Sequence, residues 1–205
     1  LGATLVISAA TVFLSFSLWR LVLIVVSAQQ AVIPADPPEW PRYTILAALY
    51  DEAEIVAQLI GRLSRIDYPT DRLQGMLVLE KDDHATLKAA LETDLPPWLT
   101  VFIAPPGLPH TKPRALNCAL PFATGDLLVV FDAEDDPDPL QLKESAAWFA
   151  DDSTSRLACL QAPLRIRRRH KTRKPSPFLD RQFAAEYAAL FETVLPGMAR
   201  LGLPF

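Results

Sequence analysis

"VVFDAEDDPDP", residues 129–139, joins an apolar run to five carboxylates set around one alanine and two prolines. The apolar run reads as an inner strand. Its tip poses an electrostatic problem, because like charges packed this tightly repel and need either open water or a cation. One reading is a solvated acidic turn leading into a helix, with Asp136 or Asp138 as the cap. The other is a metal site. Asp132 and Glu134 stand two positions apart and share a side if strand geometry persists. Oxygen ligands of this kind suit Mg²⁺ or Mn²⁺, which would bridge to a diphosphate.

Outward from that stretch, strands and helices alternate. "RYTILAALYDE" (42–52) holds a strand from Tyr43 to Tyr50, and "EAEIVAQLIGRLSRI" (52–66) repeats apolar residues with a helical period. "GMLVLE" (75–80) is a second strand, "HATLKAALE" (84–92) a helix and "LTVFIAP" (99–105) a third strand. "KPRALNCALPFA" (112–123) opens a helix with proline in its first turn, where proline is tolerated. "GDLLVVFDAEDD" (125–136) is the fourth strand, "PLQLKESAAWFAD" (139–151) a helix, and "RLACLQAPLRI" (156–166) is expected to be a fifth strand. This order predicts an α/β fold, a mostly parallel sheet with helices on both faces. In such sheets ligands sit beyond the carboxyl ends of the strands. Three strands end there in acids: Asp51 and Glu52; Glu80, Asp82 and Asp83; Asp132, Glu134 and Asp135. Their summed field calls for a divalent cation with its phosphates.

Composition narrows the classes. A formal net charge of −4 argues against a nucleic-acid partner. Cys118 and Cys159 form no CxxC and read as free thiols, and His84, His110 and His170 lack zinc-ligand spacing. Seven glycines, with neither GxGxxG nor GxxxxGK[ST], count against a dinucleotide oxidoreductase and against a P-loop NTPase.

The amino-terminal residues are a separate object. "LGATLVISAATVFLSFSLW" (1–19) carries no charge. As a helix it would cover about 28 Å, close to the hydrocarbon thickness of a bilayer. Residues 1–28 are therefore expected to span a membrane, with Trp19 and Arg20 towards the far end as anchors. Arg42, Arg62 and Arg65 then favour a cytoplasmic remainder. Residues 29–42 form a linker, because "AVIPADPPEWPR" (31–42) carries four prolines and should run extended along the membrane surface.

"ILAALYDEAEIVAQLIGRLSRIDYP", "TKPRALNCALPFATGD" and "VVFDAEDDPDPLQL" together resemble family 2 glycosyltransferases of the GT-A fold, in the membrane-bound, cellulose-synthase-like branch. The likeness covers residues 43–205. It implies an inverting transferase of the bacterial-type inner (plasma) membrane, with a Rossmann-like GT-A domain in the cytoplasm. The implied donor is a nucleotide-sugar, most naturally a UDP-sugar, and the implied acceptor a polysaccharide or lipid-linked sugar. By resemblance Tyr50, Asp51 and Glu52 touch the nucleotide, and Glu80 or Asp82 stands where the family places its uridine-contacting aspartate. Lys112 and Asn117 flank the donor, and Asp132 with Glu134 matches the Asp-x-Asp metal motif. No Thr-Glu-Asp-like base and no Gln-x-x-Arg-Trp-like motif occurs in these residues. The expectation is a fragment of a longer enzyme that holds a nucleotide-sugar weakly and transfers none.

Two segments remain. "FLDRQFAAEYAALFETVLPGMARLG" (178–202) is similar to the family's amphipathic helix before the acceptor site, packing in a core or on a membrane surface. "RIRRRHKTRK" (165–174) is a basic island, either a solvated loop or a patch for anionic lipid headgroups. Two other functional classes stay open: a non-catalytic nucleotide-sugar-binding scaffold, and a nucleotidyltransferase. The acidic, glycine-free "LYDEAE" disfavours the latter.

Overall fold

The computed structural model describes residues 2–28, 32–153, 156–166 and 177–203. In chain order the elements are α1 (Gly2–Ser27), β1 (Tyr43–Leu49), α2 (Val56–Leu63), β2 (Leu73–Glu80), α3 (His84–Leu91), β3 (Leu99–Ala104), α4 (Lys112–Ala119), β4 (Leu127–Phe131), α5 (Gln141–Asp151), α6 (Pro177–Ala189) and α7 (Leu195–Arg200). They form two compact units, residues 33–158 and residues 1–32 with 159–205.

The larger unit is a four-stranded, wholly parallel sheet in the order β3-β2-β1-β4. Every residue of β1 is buried, as expected of a strand covered on both faces. Tyr43, Ile45, Ala47 and Leu49 face a core shared with Val56, Leu59, Ile60 and Leu63 of α2, Ala90 of α3 and Leu142 and Ala146 of α5. Leu46 and Ala48 face the opposite core, where Ala115 and Ala119 of α4 lie. The strand period of two sorts these residues to their faces, and the three-to-four spacing of α2 supplies its buried stripe.

The handedness of the crossovers accounts for which helix lies where. The steps β1-α2-β2 and β2-α3-β3 move outward in one direction. The step through α4 returns past β1 to reach β4, so a right-handed connection must carry α4 over the other face. The sheet therefore has a switch point between β1 and β4, where the loops beyond the carboxyl ends diverge and open a crevice.

At the amino edge of the sheet the proline-rich segment is fastened. Trp40 stands edge-on to Tyr68 with ring centroids 5.6 Å apart, the Tyr68 hydroxyl donates to the Pro41 carbonyl at 2.7 Å, and Arg72 pairs with Glu39 at 2.7 Å. Residues 32–42 carry neither helix nor strand, in keeping with their prolines.

The expected fifth strand does not form. Residues 156–166 have no strand pairing, and Leu160, Leu164 and Ile166 stay exposed. Pro163 withholds a ladder donor in the middle of the run, and from Cys159 onward the chain belongs to the other unit. The apolar residues there lacked the strict alternation that marks a strand.

In the smaller unit α1 is the one helix among the described residues long and apolar enough to cross a membrane. At 1.5 Å per residue it extends about 39 Å, so Arg20 sits near its far end with one further apolar stretch beyond. The hydroxyls of Thr11, Ser15 and Ser17 donate to carbonyls four residues back, at 2.9, 2.8 and 2.8 Å, which satisfies them without water. Leu23 is its buried residue and lies against Gly197 of α7, where a Cβ would meet Leu23 atoms at 3.0 Å. Arg200 donates to the Val26 carbonyl at 2.6 Å. The helical stretch expected over 178–202 is present, with a π turn over Leu190–Val194 just before Pro196. Most of the basic run, from residue 167 onward, lies outside the described residues.

Candidate functional site

The tip of β1 carries Tyr50, Asp51 and Glu52. Asp51 has a φ of +56°, a left-handed conformation that aspartate tolerates better than most residues. Two contacts with α3 hold the turn in place. The Asp51 N–H donates to Asp83 Oδ2 at 2.7 Å, and the Glu52 N–H donates to Thr86 Oγ1 at 3.0 Å. Asp83 also caps α3, accepting the Thr86 N–H at 3.1 Å. Burial works to raise the Asp83 pKa, but the Thr86 hydroxyl and the N–H groups of Asp51 and Thr86 outweigh it and hold the carboxyl below its ordinary value.

The tip of β4 is a folded acidic loop. The Asp132 N–H donates to Asp135 Oδ2 at 2.8 Å and the Asp135 N–H returns to the Asp132 carbonyl at 3.0 Å, while Ala133 tucks into the core. Arginines of the α2 region brace it from behind. Arg62 Nη1 donates to the carbonyls of Glu134 and Asp135 at 2.7 and 3.0 Å, and Arg65 Nη2 pairs with Asp136 at 2.5 Å. Burial pushes the Asp135 carboxyl up; the Asp132 N–H pulls it down, and the charges of Asp132 and Glu134 push it further up. Asp132 and Glu134 themselves are exposed.

Lys112, the first residue of α4, forms an ion pair with Asp132 Oδ1. This joins the β3–α4 side of the crevice to the β4 side. Glu52 joins them electrostatically. Burial is the main cause of its raised pKa, a main-chain hydrogen bond from Tyr50 opposes that, Glu134 and Asp132 add to it, and Lys112 offsets it. Glu52, Lys112, Asp132 and Glu134 thus share one field at the β1/β4 switch point.

Among the described residues no group of three His, Cys, Asp or Glu side chains is arranged to hold a metal ion. Two carboxylates, Asp132 and Glu134, are available, and Mg²⁺ or Mn²⁺ is commonly held by one or two carboxylates with substrate phosphates and water completing the shell. The donor set fits such an ion when a diphosphate arrives with it.

The remaining expected residues divide. Asp82 Oδ2 lies 3.6 Å from His110 Nδ1, and the His110 ring stands edge-on to Tyr50 with centroids 6.2 Å apart, so these three form one wall. Glu80 is 5% exposed, and both its carboxylate oxygens accept from Arg114 Nη1 at 3.0 Å. Asn117 is exposed on α4 and its side chain makes no hydrogen bond among the described residues. Sequence reasoning did not single out Arg114, Thr86 or His110 as members of the constellation, nor Asp83 as its fastener. The Asp83–Thr86 spacing is a helix-cap signal that could have been read; the arginine and histidine pairings need three-dimensional neighbours.

Residues 41–193 match the family model described as Glycosyltransferase like family 2. The catalytic subunit of cellulose synthase 1 (UDP-forming) from Komagataeibacter xylinus is 31% identical over 159 residues, which is 76% of this chain and 19% of that protein. The UDP-forming cellulose synthase catalytic subunit of Pseudomonas fluorescens is 28% identical over 149 residues, 71% of this chain and 18% of that one. The chain thus spans under a fifth of the length of these curated relatives. Among solved structures, the mannosyltransferase PcManGT from Pyrobaculum calidifontis, in complex with GDP-Man and Mn²⁺, superposes with a TM-score of 0.58 at 25% identity, covering 70% of this chain and 42% of that one. With the family model matching well over half of its residues, the protein belongs to glycosyltransferase family 2.

Proposed function

We propose that the chain binds the nucleotide-sugar donor, a UDP-sugar, of an inverting glycosyltransferase whose acceptor is a polysaccharide or a lipid-linked sugar. The observation that carries this reading is the convergence of Lys112, Asp132, Glu134 and Glu52 at the β1/β4 switch point. Two relatives add support: the Komagataeibacter xylinus subunit is UDP-forming, and the Pyrobaculum calidifontis mannosyltransferase holds GDP-Man with Mn²⁺.

In this reading Tyr50, Asp51 and Asp82 bind the nucleoside, and Lys112 exchanges its partner Asp132 for the donor phosphates. Asp132 and Glu134 hold Mg²⁺ or Mn²⁺. When bound, that ion neutralises negative charge on the departing diphosphate. Lys112 adds a fixed positive charge on the same side, and its pairing with Asp132 keeps it aimed there. The helix α1 spans the bacterial inner membrane, with the sheet unit on its cytoplasmic side.

Titration of UDP, UDP-sugars and GDP-sugars into the chain, with and without Mn²⁺, tests the proposal. Mn²⁺-dependent UDP binding that disappears in Asp132→Ala supports it. Binding that is indifferent to both the ion and the substitution removes its basis.

A further inference from the structure

We infer that Arg114 is a positioning residue and that Glu80 acts through it, the pair setting the first turn of α4, and with it Lys112, against the carboxylates of the β4 tip. This deepens the donor-site reading above and rests on it. Glu80 ends β2 in register with Ala104, the last residue of β3, and is 5% exposed. Both of its oxygens accept from Arg114 Nη1 at 3.0 Å. Arg114 Nη2 meanwhile donates to the Pro105 carbonyl in the β3–α4 loop. Gly107 of the same loop makes room for the guanidinium, because a Cβ there would stand 2.5 Å from Nη2. One planar fork therefore ties together the tip of β2, the loop after β3 and the start of α4.

Lys112 lies two residues from Arg114 on that same turn and reaches Asp132 across the crevice. A lysine held this way meets the donor phosphates without first losing the freedom of a mobile helix start. Glu80 is poorly placed to receive a nucleobase. Turning its carboxylate to a ligand would take the countercharge from the half-buried Arg114 guanidinium, which is costly. Asp82, whose side chain is 58% exposed, has no such obligation. A lysine at 114 would keep the charge and lose the fork, so Arg114→Lys is not a conservative change here.

The test is a double-mutant cycle on the 205-residue chain in detergent, reading the Kd for UDP with Mn²⁺ and for uridine alone, or for GDP and guanosine if that is the pair the wild type binds. Glu80→Gln and Arg114→Lys should each weaken diphosphate binding about tenfold and leave nucleoside binding within about twofold. In a Lys112→Ala background neither should have a further effect. Intact nucleoside binding reports a folded site, and Arg114→Lys serves if Glu80→Gln fails to fold. Equal losses for UDP and uridine, or a loss undiminished in the Lys112→Ala background, would overturn the inference while leaving the donor-site reading intact. A wild-type chain that binds no nucleoside diphosphate with Mn²⁺ overturns both.

Discussion

The main-chain N–H of Asp51 donates to the carboxylate of Asp83 at 2.7 Å, so the residue that caps α3 also fastens the tip of β1. One buried side chain serves two elements. Asp83→Ala should lower the stability of the folded chain by roughly 1–2 kcal/mol near neutral pH, measured by denaturant unfolding. The pH dependence has a definite sign. The Asp83 pKa is lowered on folding, so its contribution is present above the unfolded value and is lost as pH falls through the folded one. The gap between wild type and Asp83→Ala should therefore begin to close only as pH falls below about 4. A constant gap down to stronger acid would mean that the cap acts without its charge.

Asp51 itself separates backbone strain from ligand chemistry. Its φ of +56° costs a residue bearing a Cβ about 1 kcal/mol, and glycine nothing. Asp51→Ala and Asp51→Gly should lose nucleotide affinity alike, because both lack the carboxylate. Thermal unfolding should rank the glycine variant as the more stable of the two.

Removal of Lys112 should have opposite effects on two ligands. In the proposed site a divalent cation would compete with Lys112, the ion-pair partner of Asp132. Lys112→Ala should strengthen binding of Mn²⁺ alone and weaken binding of UDP in its presence, each by a few-fold, about the weight of one partly exposed charge pair. Calorimetric titration with and without nucleotide reads both. A parallel loss of both affinities would place the lysine in a purely structural role.

Glu52 should make donor binding acid-sensitive. Burial, with the charges of Glu134 and Asp132, raises its pKa, which favours its protonated form until pH climbs past the raised value. A cation beside it favours the ionised form, and its binding displaces a proton. Affinity for Mn²⁺ with UDP should therefore rise as pH climbs out of the ordinary carboxylate range towards neutrality, and Glu52→Gln should flatten that slope.

The parts legible in the sequence were those written in local patterns. The continuous burial of β1 and the spacing of Val56, Leu59, Ile60 and Leu63 are recorded in the order of apolar residues, so four strands and their helices could be read directly. The acids at the strand ends were equally visible. What they pair with was not, because Glu80 and Arg114, or Lys112 and Asp132, are joined by the sheet's topology and not by spacing along the chain. Spacing alone also left Glu80 and Asp82 as alternatives for one role. In the fold Glu80 and Asp83 are taken up by internal partners, while Asp82, Asp132 and Glu134 remain exposed. The stretch 156–166 misled because apolar content stood in for alternation, and Pro163 was given too little weight.

A parallel sheet has a head and a tail, and here the two ends are built from different materials. The tail is stitched by hydrogen bonds among Thr44, Gln74, Thr124 and Gly125 at 2.7–3.0 Å, by the aromatic rings of Trp40, Tyr43 and Tyr68, and by the Arg72–Glu39 pair at its margin. Asp71, with its side chain 83% exposed, lies at that end. A fluorophore installed there through Asp71→Cys, with the free thiols Cys118 and Cys159 replaced by serine, would ride on a rigid frame a full strand's length from the charged crevice. It would follow the folding of the frame and stay silent to events at the opposite rim, giving an internal standard for every ligand titration.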